Sequence, residues 1–228
     1  MTALSKLYEE LDSEDGSNPV KGVKRPTEPD PAPDARPVEM IERVLDELWY
    51  RTAMNNRGWK TLARALVLAH TGMRPSQVKR LDPALDILPY IDGEVPFVQV
   101  SAGKGGKSYL MPMTSDGKAA FLLFLRVGAA GTFSTQAFYK SWVLACDQAD
   151  VTRFNPYKHR HSFATRMRRA GADLADVQAL LGHKSPKTTA RYAEVSVDKL
   201  VTAVQRMERG WNETRGDRSS QKRTVAGG

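Results

Sequence analysis

Cysteine is almost absent from this sequence. Cys146 is the only one, so an internal disulfide and a thiolate metal cluster are both excluded. Its surroundings read as a half-buried position on a helix. Long apolar runs are missing as well. No stretch reaches the roughly 18 residues of a membrane-spanning helix, and the N-terminus lacks the basic-then-apolar pattern of a secretory signal. A cytoplasmic location is the expectation. Carboxylates and histidines do not cluster at ligand spacing, so neither a metal nor another cofactor is expected. Repeats are lacking too. Within 228 residues, a 41% hydrophobic and 26% charged composition suits one well-buried domain with a small appendage.

Positive charge is in excess, and it is one-sided. Residues 151–228 hold 16 Lys or Arg against 7 Asp or Glu, which leaves the first 150 residues close to neutral. A basic half of this kind faces either solvent or an acidic partner, and a sequence pI near 9.6 brings nucleic acid into consideration.

Six prolines between Asn18 and Pro37 rule out a packed helix or a central strand there, so 18–37 reads as an extended linker. Before it, Leu4, Leu7, Tyr8 and Leu11 recur at helical spacing in a short helix within 1–17, too small to be a domain. The main domain is expected over 38–209. Val38, Ile41, Leu45 and Leu48 mark its first helix, and Leu62, Leu66 and Ala69 its second. Between Pro96 and Met113 the period shortens, and Phe97–Val100 and Ser108–Met111 around Gly103, Gly105 and Gly106 predict a β-hairpin. Helices return from Thr114, over Ser134–Ala149, His159–Ala170 and Asp173–Leu181. A further short helix is capped by Ser185 and Pro186, the last runs over Val197–Arg209, and 210–228 reads as a loose tail. The expected fold is mainly α with a small antiparallel β-sheet, of the α+β class.

Three segments carry candidate chemistry. In TGMRPSQVKRL, Arg74 precedes Pro75, which pushes it out of helical geometry and projects it from the start of the next helix. It is either a solvated charge or a phosphate ligand. In HRHSFATRM, Arg160 shares a face with Phe163, Ala164 and Met167. A guanidinium on that apolar face needs an anionic partner, either a structural carboxylate or a ligand. His161 reads as a packed, hydrogen-bonded helix residue. In LLGHKSPKTTARYAEV, His183 follows the Gly182 turn and Tyr192 lies near the end of the Ser185 helix, either as a packed tyrosine or as a nucleophile.

Taken together, TGMR, GKGGK, the YKHRH segment, LGH and ARYAEV resemble the tyrosine recombinase, or phage integrase, family over roughly Pro37 to Met207. The C-terminal set is the most specific part. The resemblance implies a tyrosine-recombinase catalytic domain in which Arg74, Lys104, Tyr157, Arg160, His183 and Tyr192 form the catalytic set, with Lys107 as the alternative to Lys104. It implies a site-specific recombinase or integrase that cuts and rejoins double-stranded DNA. Tyr192 would attack a phosphate to leave a 3′-phosphotyrosyl intermediate, and the enzyme would act as a tetramer on two duplexes. Two positions depart from the family pattern. Tyr157 stands where the first histidine of H-x-x-R-H is usual, and a phenol is a poor proton acceptor near neutrality. Gln77 replaces an acidic residue and removes a charge near Arg74.

Other readings compete. SAGKGGKS approaches a phosphate loop, but Ser101 replaces the first glycine and the local pattern is a hairpin. A DNA-binding protein, or a decayed recombinase that binds without cleaving, would share the basic surface and the paired helices at Leu174–Leu181 and Ser185–Ala193. Family members carry a core-binding domain ahead of this region. Met1 to Leu11 reads as a remnant of its last helix, so weak, poorly selective DNA binding with a shallow salt dependence is expected of this chain.

Overall fold

Apolar side chains at three- and four-residue intervals build most of the molecule. A computed structural model describes residues 35–101, 108–181 and 199–209, all within the unit Pro33–Gly228. The readings made for 1–17, for most of the linker, for the glycine turn, for the Ser185 helix and for the tail lie outside the described residues.

Helix α1 spans Val38–Asn55 and buries Ile41, Val44, Leu45 and Leu48. Helix α2, Trp59–Thr71, is buried around most of its circumference, with Leu62, Ala63, Ala65, Val67, Leu68 and Ala69 all enclosed. It packs against α1, against α4 (Ser115–Arg126) and against α6 (Lys158–Arg169). A helix that is apolar nearly all round belongs at the centre. Its alanines let the neighbouring helices approach closely.

Gly72 ends α2 in the left-handed region at φ 65°, and its N–H donates to Leu68 O at 3.0 Å. The chain then turns through the four-residue α3, Pro75–Val78, and a π-helical turn at Pro83–Ile87 that the sequence pattern does not announce. Strands β1, Phe97–Val100, and β2, Tyr109–Pro112, pair antiparallel with Val98 opposite Met111 and Val100 opposite Tyr109. β2 lies one residue later than the apolar pattern suggests. Thr114 and Ser134 cap α4 and α5 (Thr135–Gln148) by accepting from Gly117 N and Ala137 N. Helix α7 is Leu174–Leu180, and α8 covers 199–209, where Leu200, Ala203, Val204 and Met207 are buried. Glu208 accepts from Ser115 N at 2.7 Å, which fixes α8 to the start of α4. The mainly α fold with a two-stranded antiparallel sheet is as expected. No helix among the described residues is long and apolar enough to cross a membrane.

Helix α6 is strongly polar in sequence, yet six of its twelve residues are buried. Arg166 donates to Ala69 O of α2 at 2.6 Å. Burial pushes its pKa down to about 9, with the Glu42 carboxylate of α1 pulling it back up. One histidine assignment changes. His161 is exposed, whereas His159 is fully enclosed, edge-on to Trp142 at 4.7 Å and to Phe154 at 6.0 Å. The helix turns 100° per residue, so neighbouring histidines face opposite environments. Cys146 is wholly buried rather than half-buried.

Among the described residues the His159 ring has no hydrogen-bond partner on either nitrogen, and burial, followed by the charge of Arg166, lowers its pKa from 6.5 to about 3. The neutral ring is therefore the folded form. As pH falls below about 6.5 the unfolded chain takes up a proton that the folded chain refuses, so stability declines from there towards pH 3. Urea titrations of His159→Phe between pH 7 and 4 are expected to show a shallower decline than wild type, by up to about 1.4 kcal/mol per pH unit. Parallel curves would mean that the imidazole is not the group responsible.

Candidate anion site of paired arginines

Pro75 dictates the backbone of Arg74, which is extended at φ −77° and ψ 146°. Gln77 holds it in place, since the side-chain Oε1 accepts from Arg74 N at 2.8 Å. The helix that follows has only four residues, so its dipole contributes little and the arginine itself is the functional group.

Arg160 reaches the same place from α6. The residue is only 8% exposed. Nη1 donates to Gly72 O at 3.2 Å, and Nη2 donates to Leu181 O at the end of α7. Among the described residues no carboxylate partners it. The structural-carboxylate alternative therefore gives way to backbone carbonyls, which orient the fork without neutralising it. Burial, followed by the nearby positive charge of Arg74, lowers the Arg160 pKa to about 10. The two like charges repel each other, and an anion between them would remove that cost.

Tyr109 is a neighbour that the sequence reading missed. It stands opposite Val100 in the hairpin, so it shares the core-facing side of the sheet with Val98 and Met111. Burial raises its pKa, while the Gln77 side chain and the charges of Arg160 and Arg74 act in the opposite sense. Only the register of the hairpin could have pointed to it, and the sequence pattern sets no register. Gln77, noted as a lost acidic charge, is buried and joins the Arg74 backbone to Tyr109.

Tyr157 is less closely engaged. It is 48% exposed and lines an open groove of about 250 Å³ together with Pro75, Phe138 and Tyr139. Its backbone N–H donates to Asn155 Oδ1 at 2.9 Å, which shapes the entry to α6. Lys104, Lys107, His183 and Tyr192 lie outside the described residues. Of the expected site residues, the structure thus brings Arg74 and Arg160 together and places Tyr157 beside Pro75. No group of histidines, cysteines or carboxylates able to hold a metal occurs among the described residues.

A mainly helical domain with a two-stranded antiparallel hairpin, in which Arg74 and Arg160 lie within electrostatic reach of each other, is a tyrosine-recombinase type of catalytic fold. The chain belongs to the phage integrase family, whose pattern matches residues 39–199. It is 32% identical over 208 residues to the tyrosine recombinase XerC of Myxococcus xanthus, covering 81% of this chain and 65% of that protein. The chain thus spans just under two thirds of the length of this curated relative. Among solved structures, the integrase of mycobacterium phage Brujita is similar with a TM-score of 0.57 at 21% identity, over 90% of this chain and 69% of that one. The XerH site-specific recombinase, bound to its difH substrate in a pre-cleavage complex, gives a TM-score of 0.53 at 20% identity, over 72% of this chain and 51% of that one.

Gly72 is the pivot of the site, because its carbonyl holds Arg160 while its φ is positive. A Cβ built there would meet the Phe163 ring at 2.9 Å. Gly72→Ala is expected to cost about 2 kcal/mol or more, through left-handed strain and overpacking. A urea midpoint within error of wild type would show that the backbone can leave this conformation freely.

Proposed function

We propose that this chain is the catalytic part of a site-specific tyrosine recombinase that cuts and rejoins DNA strands through a 3′-phosphotyrosyl intermediate. One observation carries this reading most. Arg160 is buried, aimed by two carbonyls, set beside Arg74, and has no carboxylate partner among the described residues. Such a pair suits a phosphodiester, since two guanidinium forks can grip the non-bridging oxygens and stabilise the charge that grows at five-coordinate phosphorus.

In this mechanism the Tyr192 oxygen bonds to phosphorus, its proton passing to solvent or a nearby base, and the bond from phosphorus to the 5′ oxygen breaks. Lys104 supplies the proton that the leaving 5′ oxygen needs, and His183 adds a donor to the phosphate. Tyr157 takes the place of the usual histidine as a hydrogen-bonding group at the edge of the site. A 5′ hydroxyl from another strand then reverses the step, so the energy of the broken bond is kept and no nucleotide cofactor is consumed. Double-stranded DNA is the partner, and a homotetramer on two duplexes and a cytoplasmic location accompany the reading. The XerH relative caught on its own substrate supports it by analogy of fold.

The test is covalent trapping on a pool of singly nicked duplexes of randomised sequence, with the strand recovered from the adduct identified by sequencing. Wild type is expected to form an SDS-resistant adduct, and Tyr192→Phe to bind the pool but form none. Binding without any adduct in wild type would reduce the chain to a DNA-binding protein.

Arg160→Ala is expected to lower the rate of adduct formation by more than about a hundredfold. Arg160→Lys should recover little, because an ammonium cannot reproduce the two-pronged contact. A rate within about tenfold of wild type for Arg160→Ala would remove this residue from the phosphate.

A further inference from the structure

The near neutrality of the first 150 residues hides a local excess of positive charge. Residues 59–81 and 127–146 together hold six Lys or Arg and no Asp or Glu. Folding brings the two stretches together around one aromatic ring. Arg64, midway along α2, donates from Nε to Ala129 O at 3.0 Å and lays its guanidinium over Phe133, with Cζ 4.3 Å from the ring centroid. Lys79, which directly follows α3, places Nζ 5.0 Å from the same centroid. The two cationic centres are therefore no more than 9.3 Å apart. Neither has a carboxylate partner among the described residues.

The ring presents each cation with a partial negative charge, which cannot neutralise two full positive ones. Covering Phe133 needs one cation. A second on the same ring adds repulsion, which an anion bound by both would relieve. The cluster is also connected to the paired arginines. Phe133 meets Phe138 edge-on at 5.8 Å, and Phe138 forms a wall of the groove that reaches Pro75 and Tyr157 and has no carboxylate among its lining residues. Lys79 lies five residues beyond Arg74, on the short turn of chain that Gln77 fastens.

We propose that Arg64 and Lys79, held on Phe133, form a second phosphate-binding position, which takes one phosphodiester of the DNA backbone other than the one bound by Arg74 and Arg160. The inference deepens the proposed strand-transfer function and rests on it for DNA as the partner. With Nε of Arg64 committed to Ala129 O, its Nη groups and the Lys79 ammonium are the donors left for the two non-bridging oxygens. A contact of this kind carries no base identity. It supplies affinity and fixes the register of the duplex on the protein.

The experiment measures binding of the full chain to labelled intact duplexes of unrelated sequence by fluorescence anisotropy, at salt concentrations from about 50 to 200 mM. A Tyr192→Phe background keeps cleavage out of the measurement. Arg64→Gln combined with Lys79→Gln is expected to flatten the slope of log affinity against log salt by about one unit, equally on every duplex, as for one lost phosphate contact. Lys79→Gln alone, at a half-buried position just past a four-residue helix, should flatten the slope in the same direction by a smaller amount. Arg64→Lys, which keeps the charge, should retain the slope. Lys60→Gln removes the same charge from an exposed position at the start of α2 and should leave the slope unchanged.

A double variant with the slope of wild type would overturn the proposal. A cluster that serves only to cover Phe133 predicts that result, accompanied by a lower melting temperature. An equal flattening in Lys60→Gln would overturn it too, because net charge and not this site would then be responsible. A flattened slope without any covalent adduct would sink strand transfer alone, and an adduct with an unchanged slope would sink this site alone.

Discussion

The guanidinium of Arg160 is the point on which the rest of this architecture turns. It leaves water almost completely and takes as partners the carbonyl of Gly72, at the end of α2, and that of Leu181, at the end of α7. A buried cation is costly, and carbonyl dipoles recover only part of its lost hydration. The two helix ends are therefore held by a residue whose charge no carboxylate among the described residues matches.

Everything around Arg160 serves to hold it in this state. Gly72 presents its carbonyl only because it can adopt φ 65° beneath the Phe163 ring, and Phe163 lies on the same face of α6 as Arg160. One turn further on, Arg166 reaches α2 as well, and its exchange with Ala69 and Glu42 fixes the rotation of α6 about its axis. His159 fills the space against Trp142 and Phe154 as a neutral ring. The buried polar side chains of α6 thus divide the work. Some anchor the helix to α2 and α5, and Arg160 ties together the ends of α2 and α7.

Pattern recognition reached the helices with apolar stripes and the hairpin, because burial imposes a period of 3.6 or 2 on side-chain polarity. It failed where burial and polarity part company. The sequence of α6 gives no sign that His159 is enclosed and His161 exposed, since both are the same residue type two positions apart. The π-helical turn at Pro83–Ile87 and the four-residue α3 are too short to show a period. Tyr109 escaped notice because strand register, which decides the face a side chain takes, depends on cross-strand pairing and not on local composition.

By itself the chain's order of residues determined the family, the mainly helical class and the identity of the two arginines, since motif spacing and the Arg-Pro junction are local properties. Only the tertiary structure decided what Arg160 is bonded to, that Gln77 and Tyr109 stand beside it, and that no carboxylate among the described residues answers its charge. Those facts depend on which segments meet. Gly72, Arg160 and Leu181 are scattered over more than a hundred positions, and it is packing of the apolar faces that brings them together.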